Sequence, residues 1–196
     1  QASATVEVVR DLLGRKADPN LPTASGQSLL DVAVSRSDPT LCRLLLVYQA
    51  DTTGRPARHA DSEAAKLVQA WSSGNVPTVF SALEELVIDA ASGHDVTLLG
   101  VALTSIDIAG GDAERVAVLQ DEAQNSLLHL CAVSTSQVRD ARAEARARLT
   151  ARALLGWGVP VDSRNAKGET SLLLAMRAMH SLMRSSPEGS APAVPA

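Results

Sequence analysis

Lys16-Ala17-Asp18-Pro19-Asn20 returns 33 residues later as Gln49-Ala50-Asp51-Thr52-Thr53. Each copy closes an apolar run. In residues 6–13 the run is built on Val6, Val9, Leu12 and Leu13, and in residues 41–48 on Leu41, Leu44, Leu45 and Tyr48. Apolar positions three and four apart make one face of a helix. The Asp, Asn, Pro and Thr that follow are turn formers. The unit is therefore a helix ending in a fixed kind of turn, at a fixed period.

A second element repeats around the first. Gly26-Gln27-Ser28-Leu29-Leu30-Asp31-Val32-Ala33 is matched by Gly168-Glu169-Thr170-Ser171-Leu172-Leu173-Leu174-Ala175. It returns as Gln124-Asn125-Ser126-Leu127-Leu128-His129-Leu130-Cys131 and as Asp95-Val96-Thr97-Leu98-Leu99-Gly100-Val101-Ala102. A period of this length, with a Thr-Pro-Leu-His-x-Ala element, two helices and a Gly-Ala-Asp turn, resembles the ankyrin repeat. The stretch from Trp157-Gly158-Val159-Pro160 to Gly168-Glu169-Thr170 is similar to the family's junction between repeats, and the resemblance covers residues 6–185. It implies an all-α, ankyrin-like helix-turn-helix solenoid of about five repeats, with half repeats at both ends. The solenoid would occupy residues 1–185. The Pro-, Ser- and Ala-rich residues 186–196 read as a flexible tail.

The departures carry information too. Only His129 stands at the family's histidine position; Asp31, Gly100 and Leu173 replace it elsewhere. The resemblance gives that histidine a hydrogen-bonding role between repeats, so its loss implies looser junctions. Spacing is uneven: 69 residues from Ser28 to Thr97, 29 from Thr97 to Ser126, and 44 from Ser126 to Thr170. These values predict a shortened turn near Gln120 and an insertion after Ala132, and leave the boundaries between Thr53 and Asp121 open.

Local chemistry points the same way. Asp38-Pro39 reads as a helix start, because Asp accepts from first-turn amides and Pro loses nothing at the first helical position. Asn75 and Pro77 repeat the device. Gly26, Gly158 and Gly168 fall at turns. Alternation suited to strands is scarce. The first helix, with Val6, Val9, Leu12 and Leu13, would expose one flank and so predicts further repeats or a cap before residue 1. The last helix, from Ser171 to about Arg184, would close the stack with Leu172, Ala175, Met179 and Leu182 on one face.

Hydrophobic residues make up 45% of the chain and aromatic residues only 2%, so the core must be Leu, Val and Ala. The net charge of −4 provides no global attraction for nucleic acid. Cys42 and Cys131 sit in apolar helical runs and read as buried reduced thiols. No membrane span or signal peptide is evident, which predicts a cytoplasmic or nuclear protein. There is no phosphate-binding Gly-Lys-Ser/Thr loop and no Gly-x-Ser-x-Gly turn. His59, His94, His129 and His180 stand far apart, without zinc-site spacing. Adjacent Glu84 and Glu85 diverge on a helix. The sequence therefore predicts no catalytic residues, no metal and no cofactor.

The insertion at residues 137–152 places Val138, Ala141, Ala145 and Leu149 in a stripe flanked by Arg139, Arg142, Arg146, Arg148 and Arg152. It reads first as a lengthened second helix and otherwise as a docking site for an acidic partner. Without interleaved aromatic residues, nucleic acid is disfavoured. The ankyrin resemblance implies a protein partner held along the concave groove by turn tips and first helices. Mapped here, the expected contacts are Ser25, Gln27, Ser35 and Arg36, then Ser72, Ser73, His94, Thr104 and Ser105. Glu122, Asn125, Ser134, Lys167, Glu169 and Arg177 complete the set. The expected function is a protein-interaction or scaffold module. The alternative is a regulatory helical segment packing on the catalytic domain of its own larger enzyme.

Overall fold

The computed structural model describes residues 4–53, 62–135 and 141–185. Their elements are all helical: α1 (Ala4–Gly14), α2 (Leu29–Ser35), α3 (Pro39–Val47), α4 (Glu63–Ser72), α5 (Val76–Gly93), α6 (Val96–Ile108), α7 (Ala113–Ala117), α8 (Leu127–Thr135), α9 (Ala141–Gly156) and α10 (Ser171–Ser185). Among the described residues there is no strand. Two isolated antiparallel bridges, Gln120 with Ser126 and Arg164 with Thr170, close turns instead. The all-α class expected from the sequence is the one that forms. The core is aliphatic, with Leu30, Leu45, Leu83, Leu99, Ile106 and Leu127 fully buried.

The helices pack in two layers. Neighbours in the first are α2, α4, α5, α8 and α10; neighbours in the second are α1, α3, α6 and α9. Across the layers α2 pairs with α3, α5 with α6, and α8 with α9.

One corner design recurs. A residue of positive φ ends a helix, and an Asp or Asn begins the next: Ser37 before Asp38, Gly74 before Asn75, His94 before Asp95. The left-handed residue turns the chain so that the next amide reaches back into the helix. The amides of Asp38, Asn75 and Asp95 donate to the carbonyls of Ala33, Ala70 and Ala90 at 3.1, 2.8 and 2.9 Å. The side chains of Asp38 and Asp95 then accept from the amides of Leu41 and Leu98 at 3.0 Å each, which caps α3 and α6.

The repeated pentapeptide is a repeated turn. Lys16 and Gln49 have φ of 69° and 64°. Ala17 and Ala50 donate to Leu12 and Leu45, both at 3.0 Å. The carboxylates of Asp18 and Asp51 accept from the amides of Asn20 and Thr53 at 2.9 and 2.8 Å. The copies are also joined: the Asp51 amide donates to Asn20 Oδ1 at 2.7 Å, and Asn20 Nδ2 donates to the Gln49 carbonyl at 3.3 Å.

The middle of the chain corrects the sequence reading. Asp95 to Ala102 was expected to open a first helix, but α6 lies in the second layer, against α3 and α9. It starts at a corner, with Asp95 as its cap. Its apolar residues run nearly all round, burying Leu98, Leu99, Ala102, Leu103 and Ile106, so periodicity could not show which layer it joins. The spacing of 29 residues from Thr97 to Ser126 therefore compares two different kinds of helix. Near Gln120 the turn is complete, and the short part is the five-residue α7. Helix α4 sits between α2 and α5 in the first layer, and α5 serves both α4 and α6.

The chain's last two helices differ from expectation as well. In α9 the buried residues are Ala147, Thr150 and Leu154, while Ala141 and Leu149 face outward and Ala145 is half-buried. Val138 and Arg139 lie outside the described residues. In α10 the half-buried side carries Leu174, Ala175 and Ala178; of the predicted closing face, Leu172 and Met179 are exposed, Ala175 is half-buried, and the Leu182 side chain lies outside the described residues. In α1, Val6 and Leu13 are buried and Val8 and Leu12 form the exposed flank.

Candidate functional site

Three turns carry one hydrogen-bond pattern. The amides of Thr23, Asp121 and Asn165 donate to the carbonyls of Gln27, Asn125 and Glu169 at 2.8, 3.1 and 3.0 Å. In each turn the third residue after the first has positive φ: 76° at Gly26, 58° at Gln124 and 73° at Gly168. Its amide donates back to the first residue's carbonyl at 2.8, 2.9 and 2.8 Å respectively. A side-chain oxygen on the first residue completes the turn. Thr23 Oγ1, Asp121 Oδ1 and Asn165 Oδ1 accept from the amides of Gln27, Asn125 and Glu169 at 3.1, 2.8 and 3.0 Å. These turns coincide with three of the four sequence matches. The fourth, at Asp95, has the corner geometry instead.

Asp121 and Asn165 were not among the predicted contacts, although an Asx or Thr four residues before the repeat's polar residue was there to be read. Burial raises the Asp121 pKa. The side-chain amide of Asn125 and the backbone amides of Asn125 and Ala123 outweigh it, leaving Asp121 below the ordinary carboxylate value.

The turns are held to one another. Asn165 Nδ2 donates to Asn125 Oδ1 at 3.0 Å, and the Ala166 amide donates to the Ala123 carbonyl at 3.2 Å. Beneath them lies His129, fully buried. The Ser126 amide donates to its Nδ1 at 3.2 Å, and Nε2 meets the Glu169 carbonyl at 2.9 Å. An amide can only donate and a carbonyl only accept, so this imidazole is neutral with its proton on Nε2. His129 thus joins the start of α8 to the turn that carries Glu169, forty residues along the chain. Asp31, at the matching position of α2, caps its own helix: its carboxylate accepts from the Ser28 amide at 2.9 Å and its amide donates to Ser28 Oγ at 3.1 Å.

The predicted contacts fall into three groups. Ser25, Gln27, Glu122 and Lys167 are exposed at turn tips, and Arg36 is exposed just past α2. Asn125 and Glu169 sit in the turns, with Glu169 paired to Arg177 of α10. Ser35, Ser72, Ser73 and Ser134 lie at the C-terminal ends of α2, α4 and α8, where each hydroxyl donates to a carbonyl of its own helix. Three residues do not belong with the rest. His94 is only 4% exposed, and its Nε2 donates to the Cys131 carbonyl at 2.9 Å, tying the α5–α6 corner to α8. Thr104 and Ser105 stand on α6 in the second layer and bond the Gly100 and Val101 carbonyls.

Among the described residues no cluster of His, Cys, Asp or Glu could hold a metal ion. No helix among them is long and apolar enough to cross a membrane. A concavity of about 180 Å³ between α4 and α5 is lined by Arg43, Glu63, Lys66, Thr78 and Glu85. Its Arg43 is already neutralised by Glu63 at 3.6 Å and Glu85 at 2.7 Å. The Cys42 and Cys131 thiols are free and buried. No protein-family model, no curated protein and no solved structure matches the chain.

Proposed function

We propose that the chain is an ankyrin-type interaction module that holds a protein partner along the surface formed by its turn tips and first-layer helices, without catalysis or a cofactor. The observation that carries this reading is the bonded pair of turns at residues 121–125 and 165–169. They are two copies of one geometry, fastened through Asn125 and Asn165, with Glu122 and Lys167 projecting from them. A rigid backbone that presents exposed, unlike side chains from the tips of matching turns suits selective recognition of a protein surface and supplies no reacting group. The pairs α2–α3, α5–α6 and α8–α9, with α4 standing unpaired between the first two and α10 packed on α8 at the far side, support the repeat reading.

The test compares partner capture by the native domain and an Arg36→Glu/Lys167→Glu variant, followed by direct titration of the captured protein. Arg177 is left unchanged because it fastens Glu169, whose backbone carbonyl accepts the hydrogen bond from His129 Nε2. Binding weakened tenfold or more in the variant is the expected result. Equal binding removes the turn surface from the function.

A further inference from the structure

One position of the repeated element can be followed through three helices. Leu30 of α2, Leu128 of α8 and Leu172 of α10 stand at the same place in the matched octapeptides. Leu30 is 0% exposed and Leu128 8%, yet Leu172 is 66% exposed. The difference follows from what comes next in the chain. Later helices pack on the first two, α3 and α4 on α2, and α9 and α10 on α8. After α10 come residues 186–196, which lie outside the described residues.

The open face of α10 is wider than one leucine. Leu173, Met176 and Met179 are also exposed, and positions 172, 176 and 179 recur at helical spacing. Four side chains on one helix fall far below the roughly 20–30 residues a side of a stable interface between separate proteins. A segment tethered to the same helix needs much less, because its effective concentration is on the order of millimolar.

The sequence after α10 supplies such a segment. Ser186-Pro187-Glu188-Gly189 has Ser, Pro and Gly at the first, second and fourth positions of a type I turn, which reverses the chain. Residues 191–196, Ala-Pro-Ala-Val-Pro-Ala, are all apolar. Pro192 and Pro195 favour an extended polyproline form, so little conformational freedom is lost on docking. From Ser190 to Ala196 such a form reaches roughly 20 Å. Ser185 stands roughly 20 Å from Leu172 along the helix axis. Charge agrees with length: residues 171–185 hold two Arg and no acid, while residues 186–196 hold Glu188 and no Lys or Arg.

We propose that residues 186–196 turn back along α10 as a strap, laying Val194 and its neighbouring prolines over Met176, Met179 and the Leu172–Leu173 end. Helix α10 belongs to the first layer, so a partner seated there must displace the strap. That consequence rests on the function proposed above, while the covering itself does not.

The experiment measures oxidation of Met176 and Met179 by dilute hydrogen peroxide, followed peptide by peptide with mass spectrometry. It compares the 196-residue protein with one shortened to end at Ser185 and with Val194→Glu. Matching circular dichroism spectra show that all three are folded. Both altered proteins are expected to oxidise at these methionines about threefold faster or more, because an uncovered thioether meets peroxide freely. Equal rates in the native and shortened proteins overturn the proposal. So does native-like oxidation of Val194→Glu, because the contact would then not be apolar. The captured protein of the earlier test is then titrated against the native and shortened chains, and the shortened one is expected to bind more tightly. Faster oxidation with unchanged affinity overturns the competition. Failure of Arg36→Glu/Lys167→Glu to weaken binding removes the turn surface alone, since the oxidation rates need no partner.

Discussion

Asn165 and Asn125, forty residues apart, face each other across the two turns, with Asn165 Nδ2 donating to Asn125 Oδ1 at 3.0 Å. The same Asn165 uses Oδ1 to accept the amides of Lys167 and Glu169, both at 3.0 Å. One side chain therefore shapes its own turn and fastens it to the next. Replacing Asn165 with Ala is expected to lower stability by about 1–3 kcal/mol, since a half-buried hydrogen-bonding centre is lost. Asn165→Asp keeps the acceptor and loses the donor, so its loss should be smaller. Urea unfolding of the three proteins checks the order.

His129 makes the stability depend on pH. Burial pushes its pKa below the ordinary imidazole value of 6.5, outweighing the upward pull of Asp121. The unfolded chain therefore takes up the proton at a higher pH than the folded one. His129 gives its full contribution above the unfolded value and loses it as pH falls through that value toward the lower folded one. Stability curves measured between about pH 7.5 and 5 should fall toward acid. In His129→Gln, which has no titrating group here, that part of the slope should vanish.

Gly111 follows the left-handed Gly110 and runs close to α5. A Cβ there would lie 2.6 Å from Ile106 Cγ2 and 2.7 Å from Phe80 Cε1. Gly111→Ala is expected to cost about 1–3 kcal/mol through overpacking, read from a lowered thermal midpoint. Gly100, with open space at its Cβ position and a site inside α6, is the control. Gly100→Ala should be neutral or stabilising by up to about 1 kcal/mol.

Burial raises the pKa of the Cys131 thiol to about 11, against a small opposing effect of a backbone hydrogen bond from Ala151. Its sulfur also lies 3.6 Å from the Ala147 carbonyl. Little thiolate exists near pH 8, and access is closed as well. Both cysteines should react with an aromatic disulfide reagent only as fast as the protein opens, with a burst on adding denaturant. Rapid labelling of either cysteine in the native protein would contradict the buried positions.

Where the fold was legible, local chemistry and long-range packing demanded the same residues. Asp38-Pro39 and Asn75 dictate helix starts by themselves, and Gly26 and Gly168 announce left-handed turns. The Lys16 and Gln49 pentapeptides repeat because their turns stack. Legibility failed where a pattern had two physical solutions. Asp95 to Ala102 spells a first-helix element, yet Asp95 is also a good cap, and an almost wholly apolar helix fits either layer. In α9 the stripe of Ala141 and Leu149 turns outward instead of packing inward. Alanines at Ala143, Ala147 and Ala151 offer an alternative inward side, and the arginines, being long and charged, settle which side stays in water. The candidate surface was legible at its turn tips. His94 could not be placed, because only the assembled stack shows that its ring reaches the Cys131 carbonyl.

Helix α5 is the one long element that touches α3, α4, α6 and α8 alike. A row of units bonded only to neighbours peels inward from its ends. Here one long cylinder carries most of the packing between the two halves, helped by α6 against α1 and α3, so a weakened α5 would loosen the molecule at its waist. Tolerance to mutation should accordingly be lowest at the centre of the row and greatest at its extremities.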